Sequence, residues 1–128
     1  MKKIISIFVL ILIAISLTAC GTSFSKSNYK EISSYVLENK DVIPRNSDTE
    51  FYTHKTTGIF DAGIIYGYYY TESDEILIAG DDVYPTDLGN DIYESDGGTY
   101  IGKPNSGVDW YFTKKITDNW FYFELHFG

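Results

Sequence analysis

Apolar positions early in the chain recur with the period of an α-helix, at Tyr29, Ile32 and Val36. Asn28 stands before them as a residue that can cap a helix, and Glu31 follows at the position of a capping-box acid. The pattern predicts one short amphipathic helix from residue 28 to about residue 39. Its apolar stripe is expected to pack on a sheet, with a partner-binding face as the alternative.

From Phe51 onward the pattern changes to the alternation of β-strands, rich in Tyr, Phe, Ile and Thr and interrupted by Gly, Asn and Asp. Asp96-Gly97 suits the positive φ angles of a type I′ turn. We therefore predict a two-residue hairpin there, which pairs Tyr93 with Tyr100 and Ile92 with Ile101.

An earlier hairpin is predicted to turn at Ser73-Asp74, pairing Tyr70 with Leu77 and Tyr69 with Ile78. Its long first strand places alternate residues on one face: Phe60, Ala62, Ile64, Tyr66, Tyr68 and Tyr70. Gly63 and Gly67 on the other face allow a close backbone approach or a bend. Because Ile76, Leu77 and Ile78 are apolar on both faces, that second strand is expected to be central or covered.

The last hairpin is predicted to turn over residues 116–119, with Lys115 opposite Trp120. This register pairs apolar residues on one face: Phe112 with Phe123, Trp110 with Leu125, and Val108 with Phe127. The opposite face would be in water and carries the remaining pairs: Tyr111 with Glu124, Thr113 with Tyr122, and Asp109 with His126.

These elements together predict an α+β, mostly β fold. One short N-terminal helix packs on an antiparallel meander of about six or seven strands, which forms a curled sheet or a small barrel. Residues 28–128 would constitute this single domain. The order of the strands stays open.

The start of the chain has the layout of an export signal. Lys2 and Lys3 precede the apolar run Ile4–Ile15, which only Ser6 interrupts, and small residues lead to the chain's single cysteine. The stretch Leu17-Thr18-Ala19-Cys20 resembles the lipobox of bacterial lipoproteins. The resemblance implies that residues 1–19 are removed, that Cys20 carries the lipid, and that the protein is anchored at the extracytoplasmic face of the cell membrane. Residues 20–27 would then be the lipidated cysteine and a flexible tether. A plain secretory signal or an uncleaved membrane helix would look similar, although the apolar run is short of the ~20 residues that span a bilayer.

The charge of the chain changes when the signal is removed. Lys2 and Lys3 leave with it, so 8 of the 10 basic residues remain against 18 acidic ones and the net charge changes from −8 to −10. Such a field disfavours nucleic acid and anionic headgroups and favours a basic protein, a polycationic wall component or a metal ion. Acidity that only keeps an exported domain soluble is the alternative. With its thiol assigned to lipid, the mature chain has no possible internal disulfide.

Four aspartates in a Gly-rich segment are weak candidates for calcium ligands: Asp81, Asp82, Asp87 and Asp91. Their spacing does not match an EF-hand, because a loop that started at Asp87 would need Gly and Glu where Ile92 and Gly98 stand. A solvated connection with turn residues is the simpler interpretation. No cofactor and no dedicated metal site are predicted.

The predicted register also brings Asp109 beside His126, near Tyr111 and Glu124. A histidine held by a carboxylate is part of a catalytic triad, but the chain has no free cysteine and no G-x-S-x-G serine. Paired carboxylates could serve a glycosidase only in a deep cleft. A surface ion pair is therefore the preferred interpretation, and we expect no enzyme activity.

Trp120 and Tyr122 would lie on the wet face with Tyr111, next to Lys115. Flat rings on an open sheet can stack on sugars or anchor a protein. With Asp109 and His126 they form the candidate binding patch. Packing by another part of the same chain is the alternative use of these rings.

The sequence thus predicts a membrane-anchored, non-catalytic binding domain, most simply for a basic protein. In general design it looks like small acidic lipoproteins that neutralise toxins or exclude phage. A cell-wall glycan-binding module is the alternative, and a small hydrolase or a calcium-binding protein is a further one.

Overall fold

A computed structural model of the chain describes residues 24–59, 62–77 and 88–128. They form one helix, α1, and six strands: α1 (Lys26–Asn39), β1 (Thr49–Ile59), β2 (Ala62–Thr71), β3 (Ile92–Ser95), β4 (Gly98–Ile101), β5 (Trp110–Thr117) and β6 (Trp120–Phe127). The stretch Leu17–Cys20 lies outside the described residues. Among the described residues, no helix is long and apolar enough to cross a bilayer.

The helix begins three residues earlier than its pattern predicted. Ser25 is the N-cap instead of Asn28, and its side chain accepts a hydrogen bond from the Asn28 N–H. Ile32 and Val36 are fully buried against the sheet, as the apolar spacing indicated. Phe24, which was assigned to the flexible tether, is also buried and stacks on Phe112 with ring centroids 4.3 Å apart. Phe24 therefore belongs to the core of the domain and not to a flexible tether.

The strands form one antiparallel sheet in the order β1-β2-β6-β5-β4-β3. The sheet is not closed into a barrel, because β1 and β3 are its two edges. The chain leaves the centre after β2, reaches the far edge at β3 and returns strand by strand until β6 pairs with β2. A mostly β, α+β fold with an open antiparallel sheet is thus confirmed.

The middle hairpin has the predicted register, with Ile92 opposite Ile101 and Tyr93 opposite Tyr100. The residues of its turn, Asp96 and Gly97, both have positive φ, 58° and 76°. Because these angles match the twist of the flanking strands, the short sequence signal was sufficient.

The predicted hairpin at Ser73-Asp74 is wrong. Tyr70 lies opposite Glu50 of β1 and Trp120 of β6, so β2 has its two neighbours from elsewhere in the chain. Leu77 lies outside the strands and packs against the sheet face instead, while Ile78 falls outside the described residues. The alternation along β2 is confirmed for Ile64, Tyr66, Tyr68 and Tyr70, which share the face under α1.

Gly67 shows why β2 needs glycine on its other face. A Cβ atom there would lie 2.1 Å from the carbonyl oxygen of Tyr52 and 2.8 Å from the Phe123 ring. The close approach of backbone and ring would be lost with any larger residue.

The last hairpin is displaced by one residue from its predicted register. Its turn is Asp118-Asn119, Thr117 pairs with Trp120, and a bulge between Lys115 and Thr117 changes the pairing beyond it. The pairs are Tyr111 with Leu125, Phe112 with Glu124, Thr113 with Phe123, and Trp110 with His126. Asn119 adopts a φ of 71° and its side chain donates to the Thr71 and Glu72 carbonyls. Contacts with the end of β2 therefore accompany the tight turn, and a bulge absorbs the extra residue.

Two aromatic cores lie on the two faces of the sheet. The helix face contains Phe24, Tyr66, Tyr100, Phe112 and Tyr122 with α1, whereas the second face contains Ile65, Tyr69, Tyr111, Phe123 and Leu125. The sheet is therefore covered on both faces.

Candidate functional site

The predicted aromatic patch does not form a continuous exposed surface. Trp120 and Tyr122 lie under α1 with 4% and 0% of their surface exposed, and Tyr111 is equally buried on the opposite face. Lys115 is exposed, and its Nζ lies 2.7 Å from Asp74 Oδ2. The assumption of a wet face failed because the helix covers one side and the one-residue register change moves Tyr111 to the other.

His126 and Asp109 are not the cross-strand pair that was predicted. Trp110 lies opposite His126 and stacks on its ring, with centroids 3.6 Å apart. Asp109 Oδ1 accepts a hydrogen bond from the Gly128 N–H. The carboxylate beside His126 is that of Glu124, whose Oε1 lies 2.7 Å from His126 Nε2.

Glu124 is a fully buried carboxylate at the start of the helix. The Ser25 N–H donates to its Oε2 over 3.0 Å, and the Tyr122 hydroxyl donates to the same oxygen. Burial, together with the adjacent Glu124 charge, raises the pKa of Tyr122 far above its ordinary value, so the hydroxyl remains a donor. Since these donors and His126 satisfy a carboxylate that water cannot reach, the cluster positions the N-terminus of the helix on the sheet.

A second hydrogen-bonded contact holds the chain just before the helix. The Phe24 N–H donates to the Tyr100 hydroxyl over 3.1 Å, and that hydroxyl donates to Asp96 Oδ2 over 2.7 Å. Burial and the Asp96 carboxylate raise the pKa of Tyr100. The β3–β4 turn is thereby tied to the beginning of α1.

Three of the four weak calcium candidates, Asp81, Asp82 and Asp87, lie outside the described residues. Asp91 is exposed, and its carbonyl oxygen accepts from the Gly102 N–H over 2.7 Å. Within the described ranges no three His, Cys, Asp or Glu side chains come together as metal ligands.

The exposed surface with the chemistry of a protein-binding site is the edge strand β3. Every residue of Ile92–Ser95 is exposed, and Ile92 and Tyr93 leave 68% and 36% of their surface in solvent. Tyr93 stacks on Tyr100 with ring centroids 5.1 Å apart, so its orientation is fixed by the core. Acidic residues accompany the strand: Asp91, Glu94 and Asp96.

The register shows which backbone groups of β3 face away from the sheet. Ser95 and Gly98 close the two-residue turn as a hydrogen-bonded pair, so Tyr93 and Tyr100 form the next such pair. The N–H and C=O groups of the alternate residues, Ile92 and Glu94, therefore point toward the open edge. An edge of this kind can accept one further strand.

Sequence reasoning predicted this hairpin but not its role as an edge. The available signal was charge: residues 78–102 contain six acidic residues and no Lys or Arg. The sequence reasoning also placed Glu124 wrongly, on a face in water. Glu124 is the single charged residue within the run Trp120–Leu125, and its isolation among large apolar residues was the sign of a buried carboxylate with hydrogen-bond partners.

Comparison with protein-family models, with curated proteins and with solved structures finds no match to this chain.

Proposed function

We propose that this protein is a membrane-anchored, extracytoplasmic lipoprotein whose domain binds an extended, basic segment of a protein at the edge of β3. The observation that carries the proposal is the exposed strand itself. Within the described ranges β3 pairs only with β4, so the outward backbone groups of Ile92 and Glu94 can bind a partner strand, and the side chains of Ile92 and Tyr93 offer apolar contact.

Charge selects the kind of segment. A second copy of the chain would bring Asp91, Glu94 and Asp96 against the same acids, which disfavours self-association at this edge. A segment with Lys or Arg at alternate positions would instead be attracted, and the mature charge of −10, from 8 basic and 18 acidic residues, would accelerate its encounter.

The covered sheet faces make wall glycan the weaker candidate. A sugar platform on Trp120 and Tyr122 would need rings that solvent reaches, but α1 covers both. Glu124 is similarly enclosed, and its oxygens already have partners. These contacts support a non-catalytic role for the face that sequence reasoning had assigned to binding or catalysis.

Site-specific cross-linking in living cells tests the binding site. A photoreactive phenylalanine analogue replaces Ile92 in the full chain, and the matched control replaces Thr56, an exposed residue of the opposite edge strand β1. We expect a discrete protein adduct from position 92 alone, weakened by high salt and by Glu94→Lys. Equal adducts from both positions, or adducts with wall glycan only, would refute binding at β3.

The anchor has a separate test. Full-length chain expressed in a lipoprotein-processing bacterium should incorporate labelled palmitate, and Cys20→Ala should not. A wild-type chain that is exported without lipid would disprove the lipoprotein assignment whatever the cross-linking shows.

A further inference from the structure

We propose that the beginning of α1, with Lys26, Lys30, Lys55 and Lys114 around it, is a membrane-facing surface that contacts anionic lipid headgroups. This inference rests on the proposed lipid anchor and specifies the orientation that the anchor imposes. It concerns a local surface whose charge is opposite to that of the protein as a whole.

The distance between anchor and domain is short because Phe24 belongs to the core. Phe24 stands four positions after Cys20, is 5% exposed, and is held by Phe112 and by the Tyr100 hydroxyl. Four extended residues span at most about 14 Å. Whatever their conformation, they would keep the beginning of α1 close to the headgroups of the membrane that holds the lipid.

The basic residues collect at this same end of the domain. Lys26 and Lys30 are exposed and one helical turn apart. The Lys114 Nζ lies 4.7 Å from the Tyr29 ring centroid and 5.3 Å from that of Phe24, and Lys55 Nζ lies 3.4 Å from Asn28 Oδ1. Half of the eight basic residues of the mature chain thus surround the first two turns of α1.

The other end of the helix has the opposite character. Arg45 follows the helix, and its guanidinium carbon lies 4.1 Å from the centroid of the Tyr70 ring. The C-terminal end of α1 therefore lies beside the last residues of β2. Acidic side chains lie around it: Asp48 and Glu72 line the same recess as Arg45, and Glu50 Oε2 accepts a hydrogen bond from the Asn46 N–H over 3.0 Å. Anionic headgroups would therefore attract the beginning of α1 and repel its far end, at about 1 kcal/mol for each lysine near the surface.

The four lysines of this surface outnumber the three acidic residues that lie beside it, Asp96, Glu124 and Glu31. The Asp96 carboxylate accepts a hydrogen bond from the Tyr100 hydroxyl, and the Asp96 backbone carbonyl accepts one from Lys114 Nζ over 3.1 Å. Glu124 is buried, and Glu31 Oε2 lies 3.4 Å from His54 Nε2 on the side of α1 that faces β1. Lys26 and Lys30 stay exposed to solvent.

The test compares two positions on the outer side of one helix in the lipidated full chain. Ser27→Cys and Glu38→Cys lie three turns, about 16 Å, apart and each accepts a fluorophore. The protein is reconstituted in phosphatidylcholine vesicles, with and without phosphatidylglycerol, that carry a headgroup nitroxide quencher. We expect several-fold stronger quenching at position 27, and a further increase with phosphatidylglycerol.

Two variants separate the contributions of the tether and of charge. A long Gly/Ser insertion after Gly21 should reduce the difference between positions 27 and 38 in neutral vesicles. Lys26→Glu with Lys30→Glu should abolish the phosphatidylglycerol effect, whereas the equal charge change Lys40→Glu with Lys103→Glu should not. Equal quenching at both positions of a chain that has incorporated palmitate would overturn the inference and leave the anchor intact. Failure to incorporate palmitate would overturn the anchor itself.

Discussion

The two faces of the sheet use the same aromatic strands in different ways. On the helix face, Tyr122 and Ser25 donate to the buried carboxylate of Glu124, and the element that covers the face is a regular helix. On the second face, Tyr69 packs among Phe51, Phe121 and Phe123, with 5.1 Å between its ring centroid and that of Phe121. The described segment that covers this face is the extended stretch around Leu77.

The polar groups of the two faces differ in what they hold. The Tyr69 hydroxyl accepts from the Leu77 N–H over 3.0 Å, and the Tyr111 hydroxyl donates to the Leu77 carbonyl over 2.9 Å. Burial raises the pKa of Tyr69 to about 12, so its hydroxyl is neutral in ordinary buffers and can also donate to Thr113 Oγ1. One face therefore uses a charge to position a helix, and the other uses neutral hydroxyls to position a loop.

Phe123→Ala should give the largest effect, because it removes a ring at the centre of the second face. Phe123 is fully buried, and truncation of such a ring costs about 3–5 kcal/mol of unfolding free energy. Denaturant unfolding measures the loss. Phe127→Ala, on the same strand and face but only partly buried, is the control and should cost clearly less. Equal losses would show that the second face has no defined centre.

Glu124→Leu should have the next largest effect and a different character. It leaves the buried Tyr122 hydroxyl without its acceptor, at about 1–3 kcal/mol, whereas the Ser25 N–H is only partly buried, so water can replace its acceptor. Amide hydrogen exchange should accelerate first in the opening turns of α1. Glu124→Gln keeps an acceptor oxygen and should retain much of the protection. If exchange changed uniformly over the sheet, the carboxylate would not be specific to helix docking.

Tyr69→Phe should have the smallest effect of the three. It keeps the ring stack and removes one hydroxyl, which corresponds to about 1 kcal/mol. Exchange of the Leu77 amide should accelerate while the strands remain protected. Tyr93→Phe, at the exposed edge, is the control and should leave stability unchanged. An unaltered Leu77 amide would mean that packing alone holds this loop.

The sequence patterns predicted correctly those elements that depend only on residues close together in the chain. The type I′ turn at Asp96-Gly97, the alternation along β2 and the apolar stripe of α1 were all correct. The hairpin at Ser73-Asp74 failed because β2 pairs with β1 and with β6, and nothing near residue 73 encodes those partners. Non-local pairing is a property of the whole chain.

The candidate site was harder to predict than the fold. Trp120 and Tyr122 have the composition of a binding surface, and the same composition suits a core. Their burial depends on α1, which lies more than 80 residues away along the chain. The register of β5 and β6 depended in turn on a bulge beside Lys115, and a change of one residue moves side chains to the opposite face.

The sequence by itself determined the strand-rich composition, the tight β3–β4 turn, the acidic charge and the presence of a lipobox-like stretch, because each is a property of neighbouring residues or of their sum. The tertiary structure decided that the aromatic residues form two cores, that Glu124 positions a helix, and that β3 is an open edge. Those outcomes follow from burial and strand pairing between distant segments, which give the same side chain a different environment on each face of the sheet.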